Sequence, residues 1–112
     1  NLTFWSGEDG LIVPMLSLGG QGVISVMANL IPKDTHDLVH AWFAGDHKRA
    51  LDLQLKAIPL IQALFCETNP IPIKEAMNIA GMRVGQCRMP LVEMSDAGRT
   101  HLEKAMRAYG LI

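Results

Sequence analysis

Several things are scarce in this chain, and each scarcity closes off a class of function. Only two cysteines occur among 112 residues. Cys66 and Cys87 stand far apart, so neither a disulfide framework nor a C-x-x-C redox or zinc pair is available, and two free buried thiols are the expectation. Net charge is scarce too: ten Lys and Arg against eleven Asp and Glu leave −1. With a pI near 6.4 and no five-residue basic run, nothing in the charge pattern favours nucleic acid. The longest apolar stretch, Val23 to Ile31, is broken by Ser25 and Asn29 and is far short of a membrane span. Tyrosine occurs once, as Tyr109. An initiator Met and a secretory leader are also missing from the start, Asn1-Leu2-Thr3-Phe4-Trp5, which reads as the interior of a longer polypeptide. Asn1-Leu2-Thr3 satisfies the N-glycosylation pattern, but without a leader no glycan is expected.

What is present suits a packed core. The apolar fraction is 49% and the mean hydropathy is +0.19, well above the range of disordered chains. Leu2 to Trp5 reads as a short strand. A helix over residues 8–18 follows, with Leu11, Ile12, Met15, Leu16 and Leu18 at helical spacing, Pro14 near its start and Gly19-Gly20 as its C-terminal cap. Val23 to Val26 reads as a second strand, which makes a strand–helix–strand unit and hence parallel pairing. From there the pattern is helical. Asp34 to Ala44 ends at Gly45, and Asp46 caps a long helix from His47 to Cys66. That long helix carries Pro59 inside it, where a kink is expected, and a broad apolar face of Leu51, Leu53, Leu55, Ile58, Leu60 and Leu64. Pro72 to Ala80 forms a further helix, and Ser95 caps the last one, with Leu102, Ala105, Met106 and Tyr109 inward. A two-stranded parallel sheet would leave both edges open, so partner strands are expected outside this chain.

Three motifs invite chemical readings. His36-Asp37-Leu38-Val39-His40 spaces two histidines one turn apart, but a zinc-protease helix needs Glu as base and a third ligand. A solvated helix face is the expectation. Gly19-Gly20-Gln21-Gly22 closes a helix and leads into a strand, the reverse of a phosphate loop, so it reads as a cap. Ser6-Gly7-Glu8-Asp9 and Val26-Met27-Ala28-Asn29 each follow a strand. Lys33, Lys48, Lys56, Lys74 and Lys104 all fall on helices or helix starts. An imine-forming lysine needs a desolvated interior position, and none of these five offers one.

The segments Gly19-Gly20-Gln21-Gly22-Val23-Ile24-Ser25-Val26-Met27-Ala28-Asn29 and Thr68-Asn69-Pro70-Ile71-Pro72-Ile73-Lys74, in this order and at this separation, resemble the C-terminal part of the dihydrodipicolinate synthases. These are pyruvate-dependent aldolases built on a (β/α)8 barrel, a fold needing about 250 residues. The resemblance implies an α/β fold class: the C-terminal part of the barrel, strands seven and eight, followed by a C-terminal helical extension. Residues 1–32 would supply the last two strands and their helix, and residues 33–112 the final barrel helix and the extension. It also implies a lyase that condenses pyruvate with aspartate semialdehyde through a lysine Schiff base in lysine and diaminopimelate biosynthesis. The lysine, tyrosine and threonine that carry the chemistry would lie upstream of position 1, leaving no catalytic residue here. Of the family's substrate-site positions, Ile24 matches the one in the glycine–valine–isoleucine–serine strand, beside the pyruvate-derived carbons, and Gly7 matches a small residue at the pocket wall. Where the family has Ser-Gly-Asp-Asp, this chain has Glu8 in place of the first Asp, which keeps turn and charge. The family implies no metal and no cofactor beyond the pyruvate imine, a cytoplasmic homotetramer with the 8–18 helix near a subunit contact, and no membrane or nucleic-acid partner. A sister aldolase acting on N-acetylneuraminate or a keto-deoxy-sugar acid, and a non-catalytic helical interaction module, are the alternatives.

Overall fold

The computed structural model describes all 112 residues. They fall into two compact units, Asn1–Ile58 and Pro59–Ile112.

In the first unit, a 3-10 turn over Asp9–Leu11 runs into helix α1 (Ile12–Ser17), so the expected 8–18 helix is shorter and begins as 3-10. Pro14 lies in its first turn, where a missing N–H costs little. The glycine pair closes it as expected. Gly19 takes φ +95°, and the N–H groups of Gly19 and Gly20 donate to the carbonyls of Leu16 and Met15 at 3.0 and 2.9 Å. Gly20 is required for a second reason: a Cβ there would sit 2.8 Å from the Met15 carbonyl oxygen and 3.1 Å from the Phe4 ring.

The two expected strands need correction. Residues 2–5 and 24–26 form no strand, and the one parallel bridge joins Ser6, just past the first segment, to Val23. Ser6 N–H donates to Gly22 O and Ile24 N–H donates to Ser6 O, both at 2.8 Å, while Gln21 N–H donates to Phe4 O at 2.9 Å. The pairing is parallel as expected but stops after a single bridge. Leu2 is 98% exposed.

A second 3-10 turn (Met27–Asn29) precedes α2 (Pro32–Phe43), which packs on that turn and on α1. Leu38 and Ala41 are buried in α2, and Gly45 at φ +82° ends it. Asp46 then caps α3 (His47–Leu64), its carboxylate accepting from Arg49 N–H at 3.1 Å. Helix α3 is continuous through Pro59. Its buried face differs from the expected one: Leu51 and Leu55 are exposed, whereas Ala50, Gln54, Ala57, Leu60, Ile61, Ala63 and Leu64 are buried.

In the second unit, α4 (Ile71–Ile79) packs against α5 (Asp96–Tyr109), and Arg99 bridges to Glu75 at 2.8 Å. Ser95 caps α5 through Gly98 N–H at 3.0 Å, Leu102, Ala105 and Met106 are buried, and Gly110 at φ +91° closes it. The loop over residues 82–95 is held by α4 side chains. Asn78 donates to Gly85 O at 2.9 Å and accepts from Gly85 N–H at 3.1 Å, and Lys74 donates to Gln86 O at 2.6 Å. The Asn69–Pro70 and Met89–Pro90 peptide bonds are cis.

Candidate functional site

The one place where separate chain segments converge on a buried polar centre is the end of the Ser6–Val23 pairing. The Ser6 hydroxyl donates to Glu8 O at 2.7 Å and accepts from Glu8 N–H at 3.1 Å, which folds the first turn back on itself. Asp9, 1% exposed, then reaches across to the second segment. Its Oδ2 accepts from the N–H groups of Val26 and Met27 at 3.1 and 2.8 Å. From the other side Gln54 of α3, also buried, donates to Asp9 O at 3.0 Å and accepts from Val13 N–H at 3.2 Å. Ser25 Oγ accepts from Ala28 N–H at 3.0 Å and Asn29 donates to Val26 O at 3.0 Å, completing the second turn.

Gly7 and Ile24 each follow directly on the bridged pair, so the parallel register brings them side by side. Both are exposed. Ile24 is 75% exposed, not buried in a strand interior, and a Cβ on Gly7 would meet nothing within 4 Å. Asp9 and Gln54 were not distinguished by the sequence. An acid at a helix start and a glutamine within an apolar helix carry no signal that they meet.

The five lysines stand on α2, α3, α4 and α5. Asp37, Asp52 and Asp34 pair with Lys33, Lys48 and Lys56. The hydrogen bond that Lys48 donates to Asp52 pushes its amine up, away from the neutral form an imine requires. Hydrogen bonds from Lys33 and His36 hold the Asp37 carboxyl below its ordinary value. His36 and His40 stack at 3.9 Å between ring centroids, and no group of three or more His, Cys, Asp or Glu side chains has the arrangement to hold a metal ion. Cys66 is exposed and Cys87 half-buried, which corrects the expectation of two buried thiols. Partial desolvation, and then the charge of Glu67, push the Cys66 thiol up, so it is a weak nucleophile near neutral pH. Tyr109 is half-buried in the last turn of α5. A cavity of about 500 Å³ lies in the second unit beside Lys74, Asn78, Gln86, Cys87 and Arg99. Lys74 and Asn78 are bonded to the loop carbonyls of Gln86 and Gly85, and Arg99 to Glu75. No helix is long and apolar enough to cross a membrane.

The chain is a helix-rich segment that opens on two extended stretches joined by one parallel bridge, and an enzyme of the dihydrodipicolinate synthase class superposes on it. A crystal structure of a dihydrodipicolinate synthase matches 99% of this chain with a TM-score of 0.96 and 44% identity, and the match takes up 38% of that chain. The 4-hydroxy-tetrahydrodipicolinate synthase of Acetivibrio thermocellus is 49% identical over all 112 residues, and that of Caldicellulosiruptor bescii is 51% identical over 110. The model of the dihydrodipicolinate synthetase family matches residues 1–109, and the chain belongs to that family. It spans 38% and 37% of the length of those two relatives.

Proposed function

We propose that this chain is the C-terminal segment of a lyase that condenses pyruvate with aspartate semialdehyde through a lysine Schiff base, the lysine lying outside residues 1–112. In this reading residues 1–32 supply strands seven and eight of the barrel with the helix between them. Residues 33–112 supply the last barrel helix and the helical extension. Gly7 and Ile24, adjacent in register, line the pyruvate side of the pocket, and chemistry requires no cofactor beyond the imine. The complete protein is a cytoplasmic homotetramer, and the exposed Leu11 and Leu18 flanking α1 suit a subunit contact better than solvent. The observation that carries the reading is 49% identity to a named synthase over the entire chain.

A chimera provides the test. The matching segment of the A. thermocellus synthase is replaced by these 112 residues, and condensation of pyruvate with aspartate semialdehyde is measured. Turnover within about tenfold of the parent, a loss of about 1.4 kcal/mol in transition-state stabilisation, is the expected result. A folded tetrameric chimera without turnover would overturn the assignment.

The same chimera examines Ile24. Because Ile24 is 75% exposed in this chain, Ile24→Ala should change the chain's own stability by no more than about 0.5 kcal/mol. In the chimera it should raise the pyruvate KM or lower kcat. Unaltered kinetics from a folded variant would remove Ile24 from the pocket.

A further inference from the structure

We propose that Asp9 is a positioning residue for the pyruvate side of the site, an inference that rests on the lyase reading above. The backbone at Ile24 is held from both directions. Its own N–H is fixed by Ser6 O at 2.8 Å, and two residues later Asp9 Oδ2 gathers the N–H groups of Val26 and Met27. The Ile24 carbonyl lies between these two anchors. Asp9 is itself fixed through its own carbonyl by Gln54 of α3. Movement of the turn at Val26 would therefore require α3, the first turn and the second turn to yield together.

The side chain is costly in this place. Asp9 is 1% exposed, and its Oδ1 is buried with no hydrogen-bond partner. A buried polar atom left without a partner destabilises a fold. A serine could cap one N–H without that loss, but it is too short to gather two donors from a segment seventeen and eighteen residues further on. Reach and two-donor geometry account for an aspartate here.

The experiment uses the chimera and three variants, Asp9→Ala, Asp9→Ser and Asp9→Asn. Active sites are counted by trapping the pyruvate imine with borohydride, and both substrate KM values are measured per trapped site. Asp9→Ala should raise the pyruvate KM about 10- to 100-fold, the scale of a roughly 1 Å misplacement. The KM for aspartate semialdehyde should stay within about twofold. Asp9→Asn keeps one oxygen to accept from both donors, and should bring the pyruvate KM back to within about threefold of the unsubstituted protein. Where the alanine variant does not assemble, Asp9→Ser is read by the same criterion. A lowered melting temperature with an unchanged pyruvate KM would make Asp9 merely structural and overturn the proposal. An asparagine variant as defective as alanine would equally overturn the acceptor geometry. An unsubstituted chimera that assembles but does not turn over removes the lyase reading, and this proposal with it. Turnover by that chimera combined with an indifferent Asp9→Ala removes only the proposal.

Discussion

Incubated with pyruvate and borohydride, the 112-residue chain by itself should return with unchanged mass and should catalyse no condensation. An imine forms when an unprotonated amine attacks a carbonyl, so the lysine must be neutral near pH 7. Proteins achieve this by desolvation or by a neighbouring cation. The lysines here have the opposite surroundings. Lys33 and Lys48 have side chains 81% and 86% exposed and lie beside carboxylates, and Lys56 is paired with Asp34 across from α3 to α2. Lys74 donates to a carbonyl, and Lys104 is exposed on α5. For Lys48 the hydrogen bond to Asp52 raises the amine and so favours the ammonium. With no amine placed to form the imine, the expected activity is zero, not merely low. A pyruvyl adduct of defined stoichiometry on any of the five would refute this.

The second large effect concerns order. In isolation the chain should show helical far-UV circular dichroism but weak near-UV signal from Trp5 and Trp42, and should unfold over a broad range of urea. The helices have good local grounds: capped starts at Asp46 and Ser95 and buried stripes on α2 and α5. The region around the Ser6–Val23 bridge has fewer. Trp5 is 51% exposed, Ile24 75% and Leu18 75%, and each extended segment has one unpaired edge. Open edges and uncovered apolar side chains favour self-association or loose packing over one fixed arrangement. A sharp two-state melt by a monodisperse monomer would show the segment to be self-sufficient.

The parts of this fold legible in the sequence are those decided within a few residues. Gly19 and Gly45 end helices in the left-handed region, and a residue there is chosen by local sterics. Asp46 and Ser95 start helices by bonding donors three residues ahead. Spacing alone also gave the inward face of α5. Helix α3 shows where such reasoning stops. Its leucines suggest a face through Leu51 and Leu55, yet Gln54 is buried between them because Asp9 and Val13 satisfy both ends of its amide. A polar side chain is cheap to bury only when distant partners are in place, and that information lies outside any window of local sequence. The candidate site divides the same way. Gly7 and Ile24 came from resemblance to a family, since a glycine and an isoleucine have no chemistry of their own to declare. Asp9 belongs to the matched Ser6-Gly7-Glu8-Asp9 turn, but its contacts with Val26 and Met27 came from neither source. Its role is a distance between two turns, visible only once the parallel bridge sets the register.

Asn78 has a consequence for how the protein ages. Its amide faces Gly85 as a second peptide unit would, donor to carbonyl and acceptor to N–H. Asparagine is among the thermolabile residues, and hydrolysis of this amide would put a carboxylate oxygen where the donor was, opposite the Gly85 carbonyl. One water molecule consumed at one side chain would then turn an attraction into a repulsion. Of the side chains that hold the loop over residues 82–95, Lys74 would survive that reaction and Asn78 would not.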